Sequence, residues 1–90
     1  SSAASDVYKS QYQALSEAKT LYQSGITKGC LLKAAVKAIL HSELLISSVD
    51  YVSVVNPVTL EEMDEVCNIA MVSTAVHIAG IRLIDNVIIG

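Results

Sequence analysis

The residue pattern of this 90-residue chain changes character once, at Ser47-Ser48. Before that point, apolar side chains recur every three or four positions, which is the period of an amphipathic helix. After it come stretches rich in β-branched residues, which favour strands. Helices followed by strands with short connections predict an α+β domain in two layers, with the helices packed on one face of an antiparallel sheet.

Two helices are predicted in the first half, over about residues 5–24 and 27–45. Gly25 should end the first helix, because glycine accepts a positive φ without a Cβ clash. The short connection then predicts a helical hairpin. The predicted core face of the first helix is a stripe whose tyrosine hydroxyls reach solvent, made of Tyr8, Tyr12, Leu15, Ala18 and Tyr22. The predicted buried stripe of the second helix is Leu32, Ala35, Val36, Ile39 and Leu40.

Three strands are predicted in the second half, over residues 49–55, 69–78 and 81–89. Pro57 should end the first strand, because it cannot donate a ladder hydrogen bond. Thr59 is then a good N-cap for a short helical turn through Met63. Ala79-Gly80 is a two-residue connection and predicts a tight hairpin between the last two strands. The helical hairpin should therefore pack on a three-stranded antiparallel sheet.

Charge and cysteine usage exclude several classes of protein. The net charge is −3 and Arg82 is the only arginine. The chain therefore lacks the clustered positive charge that binding to nucleic acid requires. Cys30 and Cys67 form no C-x-x-C pair, so both are predicted to be reduced, buried thiols in a cytoplasmic protein. The longest apolar stretch, residues 69–89, is interrupted by polar side chains, and no membrane span or signal peptide is predicted.

The composition also predicts that part of the surface is covered. The apolar fraction of 52% is high for a chain of this length. One face is therefore expected to lie against something else. A neighbouring domain or a second copy of the chain would serve equally well.

No motif for catalysis is present in the sequence. A P-loop, a dinucleotide fingerprint and a G-x-S-x-G nucleophile elbow are all absent. His41 and His77 lack zinc-ligand spacing, and the acidic run at residues 61–65 lacks the spacing of a calcium loop and is interpreted as a solvated helix surface. We therefore assign no catalytic, cofactor-binding or metal-binding residue.

Arg82 is the one charge that needs a reason, because it lies inside an apolar strand. Alternation places Arg82 and Ile84 on one face and Asp85 on the other, so Arg82 and Asp85 should not pair. Arg82 is interpreted as bonding to backbone carbonyls or to a carboxylate at the sheet end. The alternative is that it faces a phosphate or a partner domain. Asn86 is interpreted as holding the strand end, and Asp50 as a loop or capping residue before the first strand.

Two segments carry a resemblance to a known family. They are Asp-Tyr-Val-Ser-Val-Val-Asn-Pro-Val-Thr-Leu at positions 50–60 and Arg-Leu-Ile-Asp-Asn at positions 82–86. Both are similar to segments of the C-terminal domain of pantothenate synthetases, the pantoate–β-alanine ligases. The likeness covers nearly the whole chain, although the helices match only in pattern.

Three departures from the family pattern stand out. Asn56 occupies a position where the family often has Asp. Gly80 lies two residues before Arg82, whereas the family more often has its glycine three residues before. Ser1-Ser2 does not match the family's phosphate-contacting Ser-Ser-Arg-Asn motif, because Ala3 and Ala4 follow it.

The resemblance implies a parent enzyme that joins pantoate to β-alanine at the expense of ATP, with magnesium, through a pantoyl adenylate. It places the nucleotide-binding domain, with its His-x-Gly-His motif, before these 90 residues. The family's C-terminal domain acts as a lid that keeps water from the acyl adenylate. The chain is therefore expected to be a single lid domain, residues 1–90, whose partner is the nucleotide-binding domain and which is inactive alone.

Two other functions remain open from the sequence. The chain could be a free-standing interaction module whose apolar excess forms a homodimer interface. A weaker alternative is a binder of small ligands that uses the tyrosine-bearing helix.

Overall fold

The computed structural model describes residues 3–90. The chain forms two helices and three strands, namely α1 (Ala3–Gln23), α2 (Gly29–Ser42), β1 (Ser48–Val55), β2 (Ala70–Ile78) and β3 (Ile81–Ile89). The strands pair antiparallel in the order β1-β2-β3. Both helices pack on one face of the sheet, α1 against β2 and β3 and α2 against β1. The predicted two-layer α+β architecture is confirmed.

The connection between the helices is built around Gly25, as predicted. Gly25 has φ +107°, and its N–H donates to the Tyr22 carbonyl at 3.0 Å. The Ile26 N–H reaches back to the Leu21 carbonyl, also at 3.0 Å. This pair of bonds is a Schellman motif, and Leu21 and Ile26 both pack against the core, as the motif usually requires. The stop signal of α1 is therefore local in the sequence.

The predicted core face of α1 is confirmed at Leu15 and Ala18, and Tyr22 packs against the core, but the prediction is wrong at Tyr8 and Tyr12. Tyr8 and Tyr12 are 48% and 71% exposed. The buried residues are Val7, Gln11, Ala14, Leu15 and Ala18. Small and aliphatic side chains allow α1 to lie close to the sheet, whereas tyrosine rings with hydroxyls that need water do not. On α2 the predicted stripe holds, with Leu32, Val36 and Leu40 fully buried.

One buried side chain of α1 is polar. The Gln11 side chain has no exposed surface, and its Nε2 donates to Thr74 Oγ1 at 3.1 Å and to the Leu83 carbonyl at 3.3 Å. Its Oε1 is buried and has no hydrogen-bond partner among the described residues. Gln11 therefore ties α1 to both β2 and β3 at the centre of the core.

The short helix predicted after Pro57 does not form. Asn56 closes a turn instead, because its Oδ1 accepts hydrogen bonds from the N–H groups of Val58 at 2.8 Å and Thr59 at 3.1 Å. Leu60 then takes φ +63°, and the chain doubles back. An amide oxygen accepts these bonds as a carboxylate would, so an Asp at position 56 would suit this turn equally well.

Residues 61–66, which we call the return segment, run back from the end of β1 to α2. The Met63 N–H donates to the Val54 carbonyl at 2.8 Å. The Gly29 N–H then donates to the Asp64 carbonyl, and the Val66 N–H to the Thr27 carbonyl, both at 2.8 Å. The acidic run is thus an extended segment and not a helix surface. Because residues 27–29 pair with this segment, α2 begins later than predicted.

Gly29 allows the return segment to approach α2. A Cβ at this position would lie well under 3.0 Å from the Met63 carbonyl oxygen. No real Cβ contact is this short, so any side chain here would displace backbone. The sequence pattern does not predict this contact, because a glycine near the start of a helix is common and indicates no tertiary neighbour.

Both cysteines are free thiols, but the prediction that they are buried is wrong. Cys30 and Cys67 are exposed. Cys30 lies outside the stripe of apolar side chains on α2 that faces the core, which begins at Leu32. Among residues 3–90, no helix has the length and apolar character needed to cross a membrane.

Candidate functional site

One face of the sheet carries no helix, and we call it the outer face. The strand register places twelve side chains there: Ser48, Tyr51, Ser53, Val55, Met71, Ser73, Ala75, His77, Arg82, Ile84, Asn86 and Ile88. Their alternating neighbours, such as Val54, Val72 and Leu83, point into the core. Arg82 and Ile84 therefore share a face opposite to Asp85, as predicted.

A β-bulge in β1 brings Asp50 to this face. Val49 lies opposite Val76 and Tyr51 opposite Ala75, so Asp50 is an extra residue in β1. Bulges commonly re-aim a side chain in this way. Asp50 Oδ2 accepts a hydrogen bond from Arg82 Nε at 2.8 Å and from His77 Nε2 at 3.0 Å. Asp50 is therefore not the loop or capping residue that was predicted, but part of the strand.

The bulge unites the two segments that carry the family resemblance. Asp50 and Tyr51 come from the first segment, and Arg82, 32 positions beyond Asp50, comes from the second. The Arg82 guanidinium carbon also lies 5.9 Å from the centroid of the Tyr51 ring, within cation–π range. The predicted carboxylate partner of Arg82 at the sheet end exists, and it is Asp50. We call Asp50, Tyr51, His77 and Arg82 the polar cluster.

His77 was not predicted to take part in the polar cluster. It lies directly opposite Arg82 in the β2–β3 ladder. The signal was present in the sequence, because a two-residue turn at Ala79-Gly80 pairs residues 78 with 81 and 77 with 82. His41, the other histidine, is exposed at the end of α2.

The polar cluster keeps Asp50 ionised. Hydrogen bonds from His77, and then from Arg82, lower the pKa of the Asp50 carboxyl from its ordinary value of 3.8. The side chains of His77, Asp50 and Arg82 remain 35%, 38% and 48% exposed. Ion pairs this exposed contribute little to stability, so the cluster fixes geometry more than it stabilises the fold.

The pH dependence of unfolding should report this contact. A carboxyl whose pKa is lowered by folding stabilises the folded state above its unfolded pKa, and this stabilisation is lost as the pH falls through the folded value. Asp50→Asn should therefore flatten the fall in stability below the ordinary pKa of 3.8. Urea unfolding at pH values from about 7 to about 2.5 measures the free energy of unfolding as a function of pH. Asp85→Asn, on the opposite face, is the control, and equal slopes in the two variants would contradict this assignment.

One cleft away from the polar cluster is smaller than a typical ligand pocket. A cleft of about 220 Å³ between α1 and β3 is lined by Tyr12, Ser16, Lys19 and Asp85, among others. Ligand pockets usually enclose about 300–1,000 Å³. Asp85 Oδ1 accepts the Asn86 N–H at 2.8 Å. Within residues 3–90, no three His, Cys, Asp or Glu side chains are grouped to hold a metal ion.

These features define a class: a small α+β domain that presents a bare sheet face with an ordered polar cluster at one end. The comparison with known sequences gives the family. The pantoate–β-alanine ligase model matches residues 2–88, and the chain belongs to this family. The family membership that residues 50–60 and 82–86 predict is confirmed.

The relatives are pantothenate synthetases. Those of Sulfurihydrogenibium sp. and Desulfovibrio desulfuricans are 36% and 38% identical to this chain over 75 and 77 residues. These matches cover 83% and 86% of the chain but 27% of each relative. The pantothenate synthetase of Thermus thermophilus has the same fold, with a TM-score of 0.78 at 24% identity, over 87% of this chain and 28% of that one. The chain thus spans about a quarter of the length of these enzymes and corresponds to their C-terminal domain.

Proposed function

We propose that residues 1–90 form the C-terminal lid domain of a cytoplasmic, AMP-forming pantoate–β-alanine ligase. The observation that carries this proposal is the contact between Asp50 and Arg82, which joins both family segments on one surface. The relatives' names give the reaction class, and their length supports a larger enzyme of which this domain is one part.

In this proposal the chemistry belongs to a nucleotide-binding domain outside these 90 residues. ATP and Mg²⁺ are bound there, and pantoate is activated as its adenylate before β-alanine displaces AMP. The present domain contributes a cover that closes over the cleft. Excluding water protects a reactive acyl adenylate from hydrolysis and strengthens the electrostatic interactions inside the cleft.

Incubation of the purified chain with pantoate, β-alanine, ATP and Mg²⁺ should give no pantothenate. The reason is that the described residues form no phosphate-binding loop or basic pocket for a triphosphate. Mass spectrometry of the product and of released AMP measures the reaction, with an intact pantothenate synthetase as the positive control. Sustained turnover by the chain alone would refute the assignment as a lid.

A further inference from the structure

We propose that the outer face is the surface through which this domain docks on the remainder of the ligase. This inference rests on the proposed function and adds to it the contact surface and the chemistry of its partner. The partner surface is expected to be uncharged over most of its area, with an acidic or carbonyl group opposite Arg82.

The outer face combines exposed apolar side chains with a polar but uncharged middle row. Tyr51, Ile84 and Ile88 are 37%, 52% and 44% exposed there. Ser73 and Ala75, between them on β2, are buried by their neighbours. The row of Ser53, Ser73 and Asn86 across the middle of the face carries no charge. Interface cores are enriched in aromatic and aliphatic side chains and depleted of charge. Charge appears only at one end, in the polar cluster.

The orientation of Arg82 indicates what it meets. Arg82 uses Nε to bind Asp50, and its side chain is 48% exposed. Holding the guanidinium by one edge fixes its plane before any partner arrives, which reduces the entropy lost on binding. A guanidinium fixed in this way suits a carboxylate or a carbonyl oxygen on the partner.

The size of the outer face argues against a second copy of the chain as the occupant. Three strands of about eight residues present about 400 Å². Two copies face to face would bury about 800 Å² in total, whereas stable complexes need about 1,200–2,000 Å². A domain on the same polypeptide needs less, because its tether supplies an effective concentration in the millimolar range. About 72% of the length of the Thermus thermophilus enzyme lies outside the part matched here, whose share is 28%.

The test uses a joined ligase, in which this chain replaces the matched part of the Thermus thermophilus pantothenate synthetase. Hydrogen peroxide oxidises methionines in proportion to their exposure. Met71 lies on the outer face, and Met63, packed against the core from the return segment, is an internal reference. The rate of Met71 oxidation relative to Met63 should fall at least about threefold between the chain alone and the joined ligase, since docking covers only one of the two.

Paired substitutions test the same surface by activity. Ile84→Glu with Ile88→Glu should lower kcat/KM of the joined ligase by at least about tenfold. Ile84→Thr with Ile88→Thr keeps β-branching and should lower it less, which guards against simple unfolding of β3. Leu31→Glu is the matched control, because Leu31 is 48% exposed on α2 and away from the sheet.

The outcomes separate the inference from the proposed function. If the joined ligase turns over but the ratio of Met71 to Met63 oxidation rates is unchanged, docking by the outer face is wrong and the lid function still stands. The same holds if Leu31→Glu lowers kcat/KM as much as the paired glutamate substitutions do. Protection of Met71 without any turnover would support docking and count against the ligase function. Protection together with the tenfold loss supports both.

Discussion

Gly29→Ala is expected to lower the free energy of unfolding by about 2–4 kcal/mol. Helix propensity alone predicts the opposite, because replacing glycine by alanine in a helix usually stabilises by about 1 kcal/mol. Here the new Cβ would clash with the Met63 carbonyl oxygen. The backbone must move apart, which also strains the 2.8 Å hydrogen bond from the Gly29 N–H to the Asp64 carbonyl. The sign of the change therefore separates tertiary contact from local propensity.

Urea unfolding followed by circular dichroism measures this change. Cys30→Ala is the matched control, since Cys30 is the next residue and is exposed. It should alter stability by no more than about 0.5 kcal/mol. A Gly29→Ala variant as stable as the parent would mean that the return segment does not lie against α2 in solution.

Gln11→Ala is expected to cost about 3 kcal/mol, since it leaves a cavity and removes the donor to Thr74 Oγ1 and the Leu83 carbonyl. Gln13→Ala, the same substitution on the exposed side of α1, should change stability by less than about 0.5 kcal/mol. A loss at Gln11 no larger than at Gln13 would show that the buried amide is not ordered as described.

A double variant separates the polar contact from the packing. Gln11→Met with Thr74→Val removes the amide, its unpaired Oε1 and the Thr74 hydroxyl together while keeping the core filled. Replacing both partners of a buried hydrogen bond by apolar groups is often nearly neutral. We therefore expect the double variant to recover most of the stability lost in Gln11→Ala. If the double variant loses as much stability as Gln11→Ala, the hydrogen bonds of Gln11, and not its packing, stabilise the fold.

The strands could be predicted because their signals are local. β-branched runs mark them, and Ala79-Gly80 fixes the register of the hairpin, with both residues at positive φ. Gly25 likewise marks the end of α1. These features depend on neighbours in sequence, so composition and spacing were sufficient for the fold class.

Apart from the local turn at Asn56, the main features that the sequence did not reveal depend on distant pairings. The face of α1 is chosen by its fit against β2 and β3, and the helical period alone did not separate Tyr8 and Tyr12 from Val7 and Gln11. The return segment is held by backbone bonds to β1 and α2, for which side-chain patterns carry no signal. The bulge at Asp50 exists only relative to the register of β2. The polar cluster depends on that bulge, so the cluster as a whole could not be read from spacing.

The return segment also makes the two edges of the sheet unequal as places where a strand of another molecule could add. On the free side of β1, the backbone near Val54 and Val55 is already bonded to the return segment, so a foreign strand cannot add there without displacing it. The other edge of the sheet is the far side of β3, where Arg82 and Asp85 supply charges of the kind that discourage strand addition. In a chain rich in β-branched residues, strand addition is thereby blocked at one end of β1 and opposed by charge along β3.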